Sequence, residues 1–367
     1  MPLRMPTKQA IVALVDVLVM IASASCSTQT KAPPSYGELV VQLSEEGGYF
    51  DTDNLISNET AYVQVVEDLE PTGGVYIGVG PEQNFHYIGR LRPSWAFIVD
   101  VRRDNMLHHL LLNALLAKAD TPADYLCWLF SRSCDIPPKF ENFAALVAAV
   151  DAAEPDEDLY RRHVKVVFDH VEHRLEFSLS DDDRHAIELI YRAYFEEQLG
   201  LRFRSHGRRP MPHHPTYRRL LRAEGSDGTL GHFLSRPDDY AFVRALAESG
   251  RLIPVVGDFA GEHALRSIGR FVDEQGETVT AFYVSNVEFY LIRSGVFPTY
   301  VENVRALPLA DSAQFIRAYF SYGYPHPEAL PGHRSTLVRQ KINRFLELYD
   351  DGVFLNYWDV STLDYEP

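Results

Sequence analysis

With 367 residues, 46% hydrophobic and 23% charged, the chain can form one large α/β domain or two modest ones, and disorder throughout is excluded. Its formal net charge of −16 disfavours any general coating of DNA or RNA, so no nucleic-acid partner is expected. Three cysteines without a paired Cys/His knuckle give zinc no support.

The chain opens "MPLRMPTKQAIVALVDVLVMIASASC". Arg4 and Lys8 form a positive head, Ala10 to Ala24 an apolar stretch, and small residues surround Cys26, which is the build of a secretory signal. The stretch is short and carries Asp16, which argues against a transmembrane span. "SASC" followed by Ser27 resembles a bacterial lipoprotein signal, although Ser23 stands where that family usually has Leu. The resemblance implies a lipid on Cys26 and a membrane anchor on the periplasmic or outer-membrane side. The alternatives are an ordinary cleaved signal, an unprocessed membrane-proximal helix, or a cytoplasmic chain. Residues 27–36, polar and proline-bearing, then read as a tether after the 1–26 leader.

A short apolar segment, a Gly-Gly turn and a polar loop lead to a helix expected from Glu59 to Leu69, with Ser57 or Asn58 as its cap. Val75 to Val79 reads as a buried strand, Glu82 to Leu91 as a helix, and Trp95 to Val101 as a second strand. An apolar helix starts at Asp104. From 121 to 250 helical periodicity dominates, with starts at Thr121-Pro122, Leu159 and Asp181, the last capped by Ser180. This is a helical insertion between the two parts of one domain, 37–120 and 251–367. Strands return at 252–259, 278–286 and 313–320, and helices are expected over 262–272 and 335–349, before a final strand pair or extended tail. The expected fold is α/β, a doubly wound and mainly parallel sheet with its ligand crevice at the strand C-termini.

Gly78 and Gly80 end the first strand, where glycine permits a tight turn and close approach of a ligand to the next helix N-terminus. Asp100 ends the second strand twenty residues on, the place of a ribose-binding acid. The third glycine of either common fingerprint is absent, because Glu82 and Gln83 occupy the two positions that would carry it. Asp258 follows the third strand, and Ser285-Asn286 end the fourth.

From about Tyr36 onward, minus the insertion, this order of elements resembles the class I S-adenosylmethionine-dependent methyltransferase fold. The resemblance implies a site for S-adenosylmethionine formed by Gly78, Gly80, Gln83 and Asn84 at the turn, Asp100 on ribose and Asp258 on adenine. It also implies Ser285, Asn286 and Glu288 lining the reaction crevice, with Asn286 and Glu288 as catalytic candidates, and the loop Asn54 to Glu59, Asn58 included, closing over the methionine end. Tyr76 stands where that family carries an acid, and no N-P-P-Y or catalytic-lysine signature is present. "FDTDNLISNE" and "SNVEFYL" also resemble segments of a bacterial protein family to which no activity attaches. Because the donor is cytosolic, an export signal favours an exported protein that binds a small molecule or partner over one that catalyses. The alternative is a cytosolic methyltransferase of unassigned acceptor.

Residues 201–222 hold seven arginines, three histidines and no acid, suited to phosphate, an anionic headgroup or an acidic partner, or else paired with acids elsewhere. His163, His170 and His173 share a helix, where solvent-facing positions are commoner than a metal site. "YFSYGYPHP" could wall a planar ligand or pack a core. Cys127 and Cys134 lie about 10.5 Å apart along any one helix, so a bridge needs the helix to end between them.

Overall fold

The computed structural model describes residues 33–133, 142–206, 208, 211, 213–321 and 323–367. The leader with Cys26, most of the tether, and Cys134 lie outside the described residues. Six strands form one sheet: β1 (Val75–Gly78), β2 (Trp95–Asp100), β3 (Leu252–Val256), β4 (Val279–Ser285), β5 (Leu309–Phe320) and β6 (Ser335–Lys341). The order is β3-β2-β1-β4-β5-β6. The first five pair in parallel, with Val75 opposite Trp95, Ala96 opposite Leu252 and Phe282 opposite Phe315, while β6 runs antiparallel to β5. The strands are bulky and apolar because helices cover both faces of a parallel sheet. Chain direction across the sheet reverses between β1 and β4, and a crevice opens there beyond the strand C-termini.

No strand of the sheet falls between residues 121 and 250 among the described residues. The helices there include Pro122–Phe130, Phe143–Ala152, Glu157–Asp169, Asp181–Glu197 and Pro237–Glu248. Thr121 and Ser180 each close a reciprocal capping box, with Asp124 and Asp183, satisfying two N-terminal amides at each helix start. The insertion does not stand apart, since Pro34–Pro367 form one compact unit. Pro237–Glu248 packs on Asn84–Leu91 and on Arg103–Lys118, and Asp181–Glu197 packs on the latter. Arg103–Lys118 is therefore covered on almost every face, which explains why it is apolar nearly all round, with His108, His109 and Asn113 buried among its leucines.

Three expectations change. Ser335 to Tyr349 is not one helix: Ser335–Lys341 is β6, and the helix is Ile342–Asp350. An open edge of β5, paired from Gln314 to Phe320, outweighs the local helical preference. The C-terminal segment forms the short helix Tyr357–Thr362, capped by Asn356, rather than a strand pair. The helix after the first loop shrinks to Val63–Val66, and neither Ser57 nor Asn58 caps it. Glu59 is drawn away into a buried hydrogen-bond cluster, and the Ser57 hydroxyl accepts from its amide instead.

His86, His108, His109 and His232 are enclosed by the fold. Burial lowers His86 to about 3 and His109 to about 4, and depresses His108 and His232 well below the usual imidazole range. Each is neutral when folded and binds a proton when unfolded, so its contribution is full above about pH 6.5 and is lost as pH falls towards the folded value. Glu82, raised by burial to about 7, opposes this, as do Glu59, Asp53 and Asp239, which burial also raises. His163 and His170, lowered by burial to about 4, join the four, so the histidines outnumber these acids, each enclosed one contributing up to about 1.4 kcal/mol per pH unit. The melting temperature should therefore fall between pH 7 and pH 5, and a flat or rising profile in thermal denaturation would contradict this account.

Candidate functional site

The crevice holds a cavity of about 310 Å³. Val79, Gly80 and Pro81 from the turn after β1 line it, with Val99 to Val101 at the end of β2 and Gly257 to Phe259 after β3. Tyr283, Ser285 and Asn286 close it from β4, and Ser57, Asn58 and Glu59 from the first loop. Tyr49, Phe50 and Tyr290 stand at its edge, where Phe50 meets Tyr290 edge-on with ring centroids 4.9 Å apart.

The parallel sheet thus brings Gly80, Asp100, Asp258, Ser285, Asn286 and Asn58 to one place. The remaining expected site residues stand behind it. Gly80 has φ +79°, and a Cβ there would meet open space, so its glycine answers to backbone conformation. A Cβ on Gly78 would instead strike the Asn84 Oδ1 and the Tyr76 ring, which makes Gly78 a packing residue. The Asn84 amide donates to the carbonyls of Val79 at 2.9 Å and Pro81 at 2.7 Å, while its Oδ1 accepts from Tyr76 at 2.9 Å. Neutral His109 donates through Nε2 to the Gly80 carbonyl at 2.8 Å. Asn84 and His109 therefore fix the turn from beneath. Pro81 also removes a backbone N–H from the segment that would cradle a pyrophosphate.

Asp100 is committed before any ligand arrives. Its carboxylate accepts from the Arg102 Nε at 3.0 Å, the Arg102 guanidinium at 2.8 Å and the Arg102 amide at 2.9 Å. Arg102 also donates to the carbonyls of Thr52 and Asp53, tying the end of β2 to the first loop. Asp258 is exposed, and its Oδ1 caps the Ala260 amide at 2.8 Å. Glu45 collects the amides of Asp258, His263 and Ala264, so the helix N-terminus after β3 is already occupied by the chain's own carboxylate.

The floor is built on Glu59, which reading the loop as a helix start missed. It is 1% exposed. It accepts from the Gln83 amide at 2.7 Å, the Tyr283 hydroxyl at 2.8 Å and the Ser285 hydroxyl. Burial raises its pKa, and the hydrogen bonds from Ser285, Tyr283 and Gln83 act against that rise. Ser285 adopts φ +50° and Asn54 φ +46°, two left-handed non-glycine residues that both line the cavity. Such conformations persist only where surroundings impose them, and the Ser285–Glu59 bond is one such constraint. The acid in "NLISNE" was the available signal for this cluster. Nothing in the alternation of β4 marked Tyr283.

Glu288 is corrected by its position. It does not line the cavity and is fully buried against Arg317, accepting from its Nε at 2.5 Å and from its guanidinium at 3.1 Å. Tyr300 donates to it at 3.1 Å, and the Arg317 guanidinium lies 4.3 Å from the Phe315 ring centroid. This ion pair pins the helix after β4 to β5. The described residues of 319–326 do not line the cavity either. His170 meets Asn113 at 3.3 Å and His173 faces Asp169 at 3.9 Å, and no group of three potential metal ligands is present among the described residues. Cys127 is disulfide-bonded, and its helix ends at Phe130 with Ser131 in the left-handed conformation.

Replacing Glu288 by Gln leaves Arg317 buried without its counter-charge. The expected loss is about 3–5 kcal/mol of stability, read by chemical denaturation, and a loss below about 1 kcal/mol would show that the pair does not anchor the sheet.

No curated protein matches the chain. A family model described as a domain of unknown function, DUF7790, matches residues 54–352. That span covers most of the chain and every cavity-lining residue except Tyr49 and Phe50. The chain belongs to the DUF7790 family.

Proposed function

We propose that the cavity is a binding site for a small nucleoside-type ligand that is neutral or positively charged, with S-adenosylmethionine as its leading candidate, in an exported protein that recognises rather than transforms it. The observation that carries this reading is the sign of the lining. Glu59, Asp100 and Asp258 line the cavity, and among the described residues no Lys, Arg or His does. A pyrophosphate would meet three carboxylates and a proline in place of an amide donor. A sulfonium or a set of ribose hydroxyls meets acceptors, and Tyr49, Phe50, Phe259 and Tyr290 offer faces for a planar base. The β3-β2-β1-β4-β5 order with the cavity at its switch point supports the methyltransferase-like reading of the fold.

Recognition is favoured over transfer because the ionisable groups of the lining are already engaged or exposed. Glu59 is satisfied by three donors and Asp100 by Arg102, while Asp258 caps a turn. Methyl transfer in the cytosol is the second reading, favoured by Ser285 and Asn286 at the end of β4 facing the place a donor would occupy. The disulfide at Cys127 supports export, since such bonds persist in oxidising compartments.

Calorimetry of the full chain tests the ligand. S-adenosylmethionine should bind more tightly than its uncharged thioether product, and Asp258→Asn should weaken it about threefold to tenfold without unfolding the protein. Tighter binding of NAD or ATP than of either would overturn the assignment. Metabolic labelling with a lipid precursor tests the anchor. Label should appear in the wild type and vanish in Cys26→Ser, and an unlabelled, cytosolic wild type would move catalysis to first place.

A further inference from the structure

A second cavity of about 270 Å³ adjoins the first and has the opposite charge. Its lining includes His213, His214, His333, Arg219 and Arg334, and no carboxylate among the described residues. The two share Asn58, and the segment Ser57–Thr60 is the wall between them: Ser57, Asn58 and Glu59 face the acidic side, Asn58 and Thr60 the basic side.

The basic island of residues 201–222 divides on this boundary. Arg204, Arg208 and Arg218 are neutralised by Glu197, Asp51 and Asp151. Arg202 donates to the carbonyl of His214 at 2.9 Å and so supports the loop that carries His213 and His214. Arg219 is different. Its guanidinium donates to the Gly332 carbonyl at 3.2 Å, which holds it against the loop before β6, and neither it nor Arg334 forms an ion pair among the described residues. His333 is oriented by a 2.9 Å contact between its Nδ1 and the Thr60 hydroxyl. The rings of His213 and His214 stand at 81° to each other with centroids 4.8 Å apart. Two uncompensated guanidinium groups from different parts of the chain, converging on a hollow with three imidazoles and the hydroxyls of Thr60 and Ser321, form a donor-rich site in a protein whose net charge is strongly negative.

We propose that this second cavity binds a phosphate-type oxyanion. A ligand spanning Asn58 would then carry a phosphate at one end and its neutral or cationic part in the acidic cavity. Apart from the shared Asn58, the residues that would hold the oxyanion are not those of the acidic cavity.

The test uses the full chain and inorganic phosphate as probe, followed by imidazole chemical shifts in nuclear magnetic resonance. Phosphate should saturate the protein and shift His213, His214 and His333, acetate should not, and the double variant R219Q/R334Q should lose at least tenfold in affinity. Both arginines are exposed, so that variant should keep the wild-type melting temperature, and its affinity for S-adenosylmethionine should stay unchanged. Phosphate binding that is absent, equalled by acetate, or intact in the double variant overturns the proposal and leaves the acidic cavity's assignment standing. Sedimentation with phosphatidylglycerol vesicles separates the two sources of the oxyanion. Co-sedimentation lost in the double variant assigns a lipid headgroup, and phosphate binding without co-sedimentation assigns a soluble ligand.

Discussion

The cavity depends on the burial of one carboxylate. Glu59 comes from a loop with little regular structure, yet it reaches under the end of β4 and is met there by three side chains from two other parts of the chain. A carboxylate so enclosed is costly unless its oxygens are supplied with donors, and Gln83, Tyr283 and Ser285 supply them. Each donor pays for its place with a constraint of its own. Gln83 also meets Tyr87 at 2.9 Å, which fixes the first turn of the helix after Gly80, and Ser285 is held in a left-handed conformation. Loop, glycine turn and fourth strand are thereby set relative to one another before any ligand enters.

The same segment of the insertion side is secured through Glu82. Its carboxylate accepts from Tyr125 at 2.6 Å and Tyr217 at 2.7 Å, both from within residues 121–250. Burial raises Glu82 to about 7, so near neutrality the group is poised between the two forms while remaining tied to two phenols. The position where a nucleotide-binding turn would carry a third glycine is thus occupied by side chains that clamp the insertion to the sheet. Glu82 and Gln83 are not relics of a damaged fingerprint. They are buried partners whose loss would loosen the floor and the insertion together.

The readable part of this molecule was the part governed by local periodicity and strand-end placement. Five parallel strands, the caps at Thr121 and Ser180, and the meeting of Gly80, Asp100, Asp258 and Ser285 follow from apolar runs and from residues that end them. What escaped was set by partners far along the chain. Glu59 pairs with Ser285, Glu288 with Arg317, and β6 with the edge of β5, at separations no sequence window spans. Glu288 shows the difficulty most plainly, because an acid just after a strand end reads as crevice-facing until a buried arginine on the next strand claims it.

The wall between the cavities explains why one short loop carries so much of the architecture. Between Ser57 and Thr60 the chain turns an acid to one side and a hydroxyl to the other, and the charge of the surroundings reverses across it. Opposite fields held a few residues apart are unfavourable to any ligand of uniform charge, because what one hollow attracts the other repels. They suit a molecule whose charge is itself divided. Among the described residues no salt bridge crosses the wall: Asp100 is held by Arg102 on its own strand end, while Arg219 leans on a backbone carbonyl and Arg334 is exposed. With Asp100 already neutralised by Arg102, the charges left to whatever binds are those of Asp258 on one side and of Arg219 and Arg334 on the other.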